Sequence, residues 1–464
     1  MLIYNTASRK KETFKPIEDG KVKLYACGPT VYDYFHIGNA RAFLVFDVVR
    51  RYFEWRGFDV TYVQNITDIE DKIIAQSIEE NEDYARITNK YTEAFLQDCI
   101  ALGIKPPHYQ PRATEETDAI IKLIEALVQR GYAYEAQGDV YFDTTALPQY
   151  GSLSGKKIEE QMVGARVAEN KNKKNPADFT LWKNSKTGEP YWHSPWGDGR
   201  PGWHSECVVM SQKYLGQTFD IHGGGNDLIF PHHENELAQA LAISGRPLAN
   251  YWMHNGFLNI EGEKMSKSLD NFYTARDILK KHSAEAIRFF FLSKHYRSPI
   301  DFNRGLIEES ERAVKNFYDA LKAIDYSSFV ESEIEVTGIM LNTFEEEFIE
   351  AMDDDFNSAR AISVLFGLTS IIKNQSLESS QRQQSAVLLV RLGGALGFFQ
   401  HLTERLADKT PNLSKQLIEI ILEYRKQARA DKNWALSDKI RDDLALLSIE
   451  IKDTKDGCTW SIRD

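Results

Sequence analysis

Apolar and polar positions alternate or recur in a way that changes character along the chain. Lys21–Gly28, KVKLYACG, reads as a strand that runs into a glycine loop. From Ala40 to Gly57 the apolar residues fall at helical spacing. Phe58–Asn65, FDVTYVQN, alternates and is rich in β-branched and aromatic residues, so it predicts a second strand. Strand, loop, helix and strand in this order open a parallel α/β sheet. One long helix is expected from Asp71 to Gly103, ending where three prolines crowd Lys105–Pro111. A further helix near Glu116–Arg130 leads into a hairpin turning at Gln137-Gly138. Glu169–Lys186 is rich in lysine and asparagine and reads as an exposed loop. Pro201–Met210 and Thr218–His222 read as returns to the main sheet. Beyond residue 268 the pattern is helical almost to Arg463, with breaks at Tyr326–Gly338 and Asn374–Ser385, and a short strand at the end.

Length adds that 464 residues exceed one compact core, so several domains are expected. Hydrophobic residues make up 42%, enough for packed cores, and no apolar run reaches the length of a membrane span. The N-terminal MLIYNTASRKKE lacks the apolar stretch of a signal peptide. Four scattered cysteines form no disulfide framework, which fits a reduced, cytoplasmic protein. A net charge of −12 opposes nucleic-acid binding by the chain as a whole but leaves room for a local basic stripe.

Two segments carry candidate chemistry for phosphate. In Tyr34–Asn39, YFHIGN, His36 and Asn39 stand at the start of the predicted helix, whose free N–H groups suit anionic phosphate, and Gly38 allows close approach. In Glu263–Ser268, EKMSKS, two lysines sit in a loop that can close on a triphosphate as it expels pyrophosphate. Gly223–Gly225 followed by Asn226-Asp227 suits backbone approach to a nucleoside, with Asp227 able to accept from ribose. His232 and Glu236 share one helix face at i,i+4, and His233 with Glu236 at i,i+3 fits a metal equally well. Cys27 and Cys207 are far from any CxxC spacing, and spacing alone joins neither to them.

The paired segments resemble the ATP-binding signatures of class I aminoacyl-tRNA synthetases, with Asn39 where the usual HIGH has histidine. The segments around Cys27 (YACGPTVYDYFHIGN), Cys207 (PGWHSECVVM) and His232 (GGGNDLIFPHHENE) resemble the cysteine-specific branch of that family, and the likeness runs from residue 21 to the C-terminus. The resemblance implies a Rossmann-type parallel-sheet catalytic domain with an insertion, then an all-α bundle and a small C-terminal anticodon-binding region. The expected boundaries are 1–115 and 199–255 for the catalytic halves and 116–198 for the insertion. The loop and stem-contact region spans 256–310, the bundle 311–400 and the anticodon region 401–464.

It also implies a cysteine–tRNA ligase using ATP with Mg2+, L-cysteine and tRNA(Cys); separately, a monomer is expected. The ligand set it implies for one Zn2+ is Cys27, Cys207, His232 and Glu236. ATP would meet His36, Gly38, Asn39, Gly225, Asp227, Lys264 and Lys267. Among these, Lys267, Lys264, His36 and Asn39 would serve catalysis, with Lys267 the main ATP contact. Thr67 and Trp203 would contact the amino acid. Cys99 and Cys458 match no ligand position.

His36, His204, His222 and His233 are expected to donate hydrogen bonds that offset the negative charge of the ligand set. Arg429, Trp434 and Asp438 are the anticodon candidates, because basic residues beside an exposed aromatic suit unpaired RNA. Two rivals stand beside this reading. One is a cysteine ligase acting on an amino sugar, against which the helical C-terminal third argues. The other is a non-catalytic RNA-binding paralogue, against which the retained lysines and ligands argue.

Overall fold

The structure is a computed structural model and describes residues 1–156, 171–260, 263–264, 273–328, 334–407, 412–454 and 457–462. The chain forms two compact units, Met1–Gln400 and His401–Asp464.

The larger unit opens with an antiparallel hairpin, β1 (Leu2–Asn5) and β2 (Lys10–Thr13). It continues through β3 (Lys21–Ala26), α1 (Ile37–Trp55) and β4 (Asp59–Gln64). Two helices follow, α2 (Asp71–Glu80) and α3 (Tyr84–Ala101), where one was expected. The break has a local cause: Asn81 takes a left-handed φ of 51°, and the Asp83 side chain then caps α3 by accepting from the Ala85 N–H. Next come α4 (Thr117–Gln129) and the antiparallel strands β5 (Ala133–Ala136), β6 (Asp139–Phe142), β7 (Phe179–Asn184) and β8 (Gly199–Pro201), which lie in that order in one small sheet. The expected loop at 169–186 thus contains a strand, because FTLWKN buries Phe179, Leu181 and Trp182. The expected return at Pro201–Met210 is instead the first half of α5 (Trp203–Leu215). Its run Cys207–Met210 is largely buried, and a short apolar run does not distinguish buried helix from strand.

β9 (Phe219–Gly225), α6 (Glu234–Ser244) and β10 (Ala249–Asn255) complete the main sheet, which is parallel with order β10-β9-β3-β4. Apolar residues of all four strands form its core: Val22, Leu24, Val60, Val63, Ile221, Trp252 and Met253 are all buried. Helix α1 packs so closely that a Cβ at Gly223 would stand 2.2 Å from the Phe46 ring.

β11 (Leu258–Ile260) pairs with β12 (Glu263–Lys264) and, in parallel, with β13 (Ile300–Phe302), which flanks α7 (Ala275–Leu279) and α8 (Ala284–Leu292). The helices α9 (Arg304–Lys322), α10 (Ile339–Asp353), α11 (Ser358–Lys373) and α12 (Ser379–Ala395) complete the unit. At its centre the buried Asp47 of α1 accepts from Arg51 (2.8 Å) and from Arg288 of α8 (2.7 Å), and Arg288 also donates to the carbonyl oxygens of Gly103 and Leu396.

The smaller unit holds α13 (Leu402–Leu406), α14 (Asn412–Ala430), α15 (Trp434–Leu446) and a terminal hairpin, β14 (Ile449–Thr454) with β15 (Gly457–Ile462). Its core is small, centred on Ile418, Leu444 and Ile449. The single expected terminal strand is a pair, and Trp434, expected in a loop, is the first residue of α15, behind the capping side chain of Asn433. No described helix is long and apolar enough to cross a membrane.

Candidate metal centre and nucleotide site

Ligands of parallel α/β sheets gather beyond the carboxyl ends of the strands, and the candidate residues do so here. Cys27 follows β3, Thr67 lies just beyond β4, Asp227 follows β9, and His254 and Asn255 end β10. Helix α5 supplies Trp203, His204 and Cys207, the irregular turn Ile229–His233 supplies His232, and the first turn of α6 supplies Glu236.

These elements bring Cys27, Cys207, His232 and Glu236 together, with one ligand atom of each within 4.8 Å of all the others. The two Sγ atoms are 3.9 Å apart, Cys207 Sγ is 3.6 Å from His232 Nε2, and Cys27 Sγ is 3.8 Å from Glu236 Oε1. Tetrahedral zinc, with bonds of about 2.0–2.3 Å, separates its ligands by about 3.3–3.8 Å. The donor set is soft and anionic, as zinc requires. A second set, Cys27, His222, His233 and Glu236, meets the same distance criterion. The i,i+3 alternative at His233 therefore stays geometrically open, and the two histidines occupy neighbouring positions on one centre.

Three of the four histidines expected around the ligands are there. His222 Nε2 donates to Glu236 Oε2 at 2.6 Å, His233 Nε2 lies 3.2 Å from Cys27 Sγ, and His204 Nδ1 lies 3.0 Å from His232 Nδ1. His36 departs from the expectation: it caps α1, its Nδ1 accepting from the Asn39 N–H at 3.1 Å. Sequence reasoning missed His254, whose Nε2 is 2.7 Å from His233 Nδ1 and whose Nδ1 is 2.8 Å from the Thr6 hydroxyl. It lies inside a strand and belongs to no motif, so only the β9–β10 pairing reveals it. Trp203 stacks on the His232 ring at 4.0 Å and fixes its plane.

Charges in the cluster are strongly coupled. Burial disfavours the Glu236 carboxylate, yet His222 and His232 hold it well below the usual carboxylate range. Burial likewise opposes the His232 imidazolium, but Glu236 outweighs it and raises the group to about 10. Burial opposes the Cys207 thiolate too, and hydrogen bonds from Cys27 and His232 still bring it down to about 6. Burial pushes Cys27 well up and pulls His204 down to about 3. Thiolate, imidazolium and carboxylate thus lie side by side, with a proton on His232 in the place where a divalent cation would supply positive charge.

Thr67 is buried and donates to Glu206 Oε2 at 2.8 Å, while accepting from Asn65 Nδ2 at 3.1 Å. Beside the cluster, a cavity of about 350 Å3 is lined by His36, Gly38, Asn39, Trp203, Gly225 and Asp227 among others. The Asp227 carboxylate folds back over Gly225, where a Cβ would stand 2.4 Å from Oδ1. Lys264 pairs through its backbone with Asn259 in β11, and its side chain and Lys267 lie outside the described residues. In the smaller unit Arg429 pairs with Asp453 at 2.8 Å, Asp438 pairs with Arg441 at 3.3 Å, and Trp434 is 57% exposed.

Residues 13–312 match the family model of the tRNA synthetases class I (C) catalytic domain, and residues 347–400 match the DALR domain. The chain is 46% identical over 470 residues to the cysteine–tRNA ligase of Clostridioides difficile (strain 630), covering 99% of both chains. In fold it is similar to Mycobacterium tuberculosis methionyl-tRNA synthetase in complex with methionyl-adenylate, with a TM-score of 0.59, 13% identity and coverage of 87% of this chain and 94% of that one. The LeuRS agnB2 of Agrobacterium radiobacter K84, solved in a ternary complex with tRNA and LeuAMS, gives a TM-score of 0.59 at 12% identity, with 86% of each chain covered. A sheet-end cluster of two cysteines, histidine and glutamate, a histidine-capped helix beside it, and near-complete overlap with a known ligase lead to one assignment: the chain belongs to the cysteine–tRNA ligase family of class I tRNA synthetases.

Proposed function

We propose that this chain activates L-cysteine with ATP, giving cysteinyl-adenylate and pyrophosphate, and then transfers the cysteinyl group to the terminal adenosine of tRNA(Cys). The observation that carries the reading is the convergence of Cys27, Cys207, His232 and Glu236 at the sheet end, next to the His36-capped helix. These four residues would hold one Zn2+, which when bound supplies a soft Lewis acid that prefers a thiolate to a hydroxyl. That preference matters because shape alone separates near-isosteric substrates by only ~10–200-fold.

The chain's own groups prepare the rest. With His232 Nε2 engaged as a ligand, its Nδ1 keeps the proton and donates to His204, which burial keeps neutral. His222 donates to Glu236 and fixes the carboxylate in its ligand position. Trp203 closes one wall, and Thr67 contacts the amino acid. In the first step a carboxylate oxygen of cysteine forms a bond to the α-phosphorus of ATP as the bond to pyrophosphate breaks. Gly38 and the Asn39 side chain at the start of α1 hold phosphate beside His36, while Lys267, with Lys264, neutralises the charge that builds on pyrophosphate. Mg2+ accompanies ATP, and Gly225 with Asp227 receives the ribose. In the second step a hydroxyl of the tRNA terminus attacks the acyl carbon and AMP leaves. Positioning accounts for most of the catalysis, so no general base is assigned. The smaller unit reads the anticodon with Arg429, Trp434 and Asp438, and the chain acts as a monomer.

The test is transfer of labelled cysteine to a tRNA with a GCA anticodon, in the presence of ATP and magnesium. Charging is expected. A folded, zinc-loaded chain that charges no tRNA overturns the reading.

A further inference from the structure

A second cavity, of about 370 Å3, adjoins the turn that follows β9. Asn226 lines it, while the next residue, Asp227, lines the nucleotide cavity, so adjacent residues of one turn line the two. Among the described residues it is lined by two arginines, Arg9 and Arg297, and by the hydrogen-bonding side chains of Thr6, Ser154 and Asn226, with no aspartate or glutamate. Positive charge is thus collected locally on a chain of net charge −12. The functional reading gives Arg9, Arg297 and Asn226 no role.

The fold holds both arginines in place. The turn between β1 and β2 is docked on β10. The Thr6 N–H donates to the Trp252 carbonyl oxygen at 2.9 Å, the Trp252 N–H to Asn5 Oδ1 at 3.0 Å, and Asn5 Nδ2 to the Asn250 carbonyl oxygen at 2.9 Å. At the end of that turn Arg9 takes a left-handed φ of 59°, which a residue with a Cβ adopts only under strain. Its Nη2 donates to the Ser154 carbonyl oxygen at 3.3 Å and lies over Gly155, where a Cβ would overlap it. Arg9 makes no ion pair among the described residues. Arg297 lies over the Tyr4 ring, with Cζ 4.3 Å from the centroid, and donates through Nε to Asp355 Oδ2 at 2.7 Å. Asp355 is fully buried and also accepts from the Tyr4 N–H and the Tyr296 hydroxyl, both at 2.8 Å. Its charge is shared among these donors, and the two Nη groups of Arg297 make no hydrogen bond among the described residues.

We propose that this cavity binds a phosphate group. Guanidinium forks match the oxygens of phosphate, and a fork that is already oriented loses little freedom on binding. Arg9 supplies the unbalanced charge, and Arg297 supplies free N–H groups from a fixed plane. The strained φ of Arg9 returns little to the fold, because its exposed side chain makes one bond of 3.3 Å to a carbonyl oxygen. Strain that the fold does not recover locally points to a ligand. At about 370 Å3 the cavity has room for the phosphate and for part of what carries it. Two sources share this chemistry: free phosphate, and a phosphodiester of the tRNA backbone, which rests on the proposed function.

Equilibrium dialysis of labelled orthophosphate against the zinc-loaded full chain tests the free source, with unlabelled α,β-methylene ATP in excess to fill the nucleotide cavity. Filter binding of tRNA(Cys) over a range of salt tests the other. Free phosphate is the source if one orthophosphate is retained per chain and Arg9→Ala weakens it by at least about tenfold, the scale of one charged hydrogen bond. Gly155→Val, which keeps the charge and displaces the fork, should weaken it likewise. A tRNA phosphodiester is the source if Arg9→Ala instead lowers the slope of log affinity against log salt by about one. Neither effect, or orthophosphate held equally by the unaltered chain and both variants, overturns the proposal. Should Arg9→Ala unfold, Arg9→Gln is expected to show the same loss, and undiminished affinity for both probes overturns the proposal. The dialysis needs no charging activity, so the phosphate site and the functional reading fail separately.

Discussion

The candidate metal centre of the larger unit and the helical face of the smaller one place their polar and aromatic groups in opposite surroundings. Around Cys27 and Glu236 His222, His232, His233 and His254 are buried and His204 and Trp203 are half-buried, each held by a neighbour. In the smaller unit Tyr424 and Trp434 are 67% and 57% exposed, and only a small core around Ile418, Leu444 and Ile449 supports them among the described residues. The difference fits the two ligands of the proposed function. Telling sulfur from oxygen takes one atom, read where water is excluded and every partner is fixed. Reading unpaired bases takes broad faces that a long polymer can reach, at a modest energy per contact.

The largest break in that contrast comes from a ligand. Cys207→Ser is expected to lower zinc content to background and cysteine-dependent exchange by at least about a thousandfold, since metal and fold of the centre are linked. Its affinity for tRNA should change by less than about twofold, because the proposed base contacts lie in the smaller unit. Metal analysis, exchange and filter binding check all three, and a parallel loss of tRNA affinity would merge the two regions into one.

His222→Asn is the next smaller effect. Removing the donor to Glu236 is expected to weaken zinc affinity by roughly 10–100-fold, as loss of a supporting partner does. Competition with a chelator measures it, and His204→Asn gives the comparison for the partner of His232; unchanged zinc and cysteine affinity in both would leave the histidines without a role at the metal.

Trp434→Ala probes the other side. Charging should fall about tenfold, the scale of one base stacked on an aromatic ring, with pyrophosphate exchange unchanged. Equal loss of both activities would make Trp434 a folding residue.

The smallest effect is in acid. Hydrogen bonding by Arg425 lowers the Asp453 carboxyl to about 2, a group that remains substantially exposed. Its folded pKa lies below its unfolded one, so its contribution is complete above about pH 4 and is lost as pH falls toward about 2. Hydrogen exchange of α14 and β14 in the intact chain should quicken slightly over that window. Asp453→Asn should show the quicker exchange already at pH 7 and no further change in acid.

Much of the main sheet is legible in the sequence because its strands carry alternating apolar, β-branched and aromatic residues, as at Lys21–Ala26 and Asp59–Gln64. The same rule misleads at Cys207–Met210, where a buried helix leaves the same trace. It also hides the break at Asn81, because one left-handed residue interrupts a helix without interrupting its polarity pattern. Within the site, helical spacing joins Glu236 to His232 or to His233, and only the resemblance selects His232. Cys27 and Cys207 become partners only through resemblance or through the fold. His254 carries no local signal, since its role arises from which strand lies next to β9.

Helix α1 is also a lever. Its capped end stands at the proposed nucleotide cavity, and Asp47, ten residues from its first residue Ile37, sits in the buried cage of Arg51 and Arg288. At about 1.5 Å per residue the arm is about 15 Å long, so a tilt of only about 4° at the cage carries the phosphate-facing end through about 1 Å. A displacement of that size costs on the order of a hundredfold in rate. The mechanical stiffness of a charge cluster that touches no substrate thereby limits how accurately the chain can aim at one.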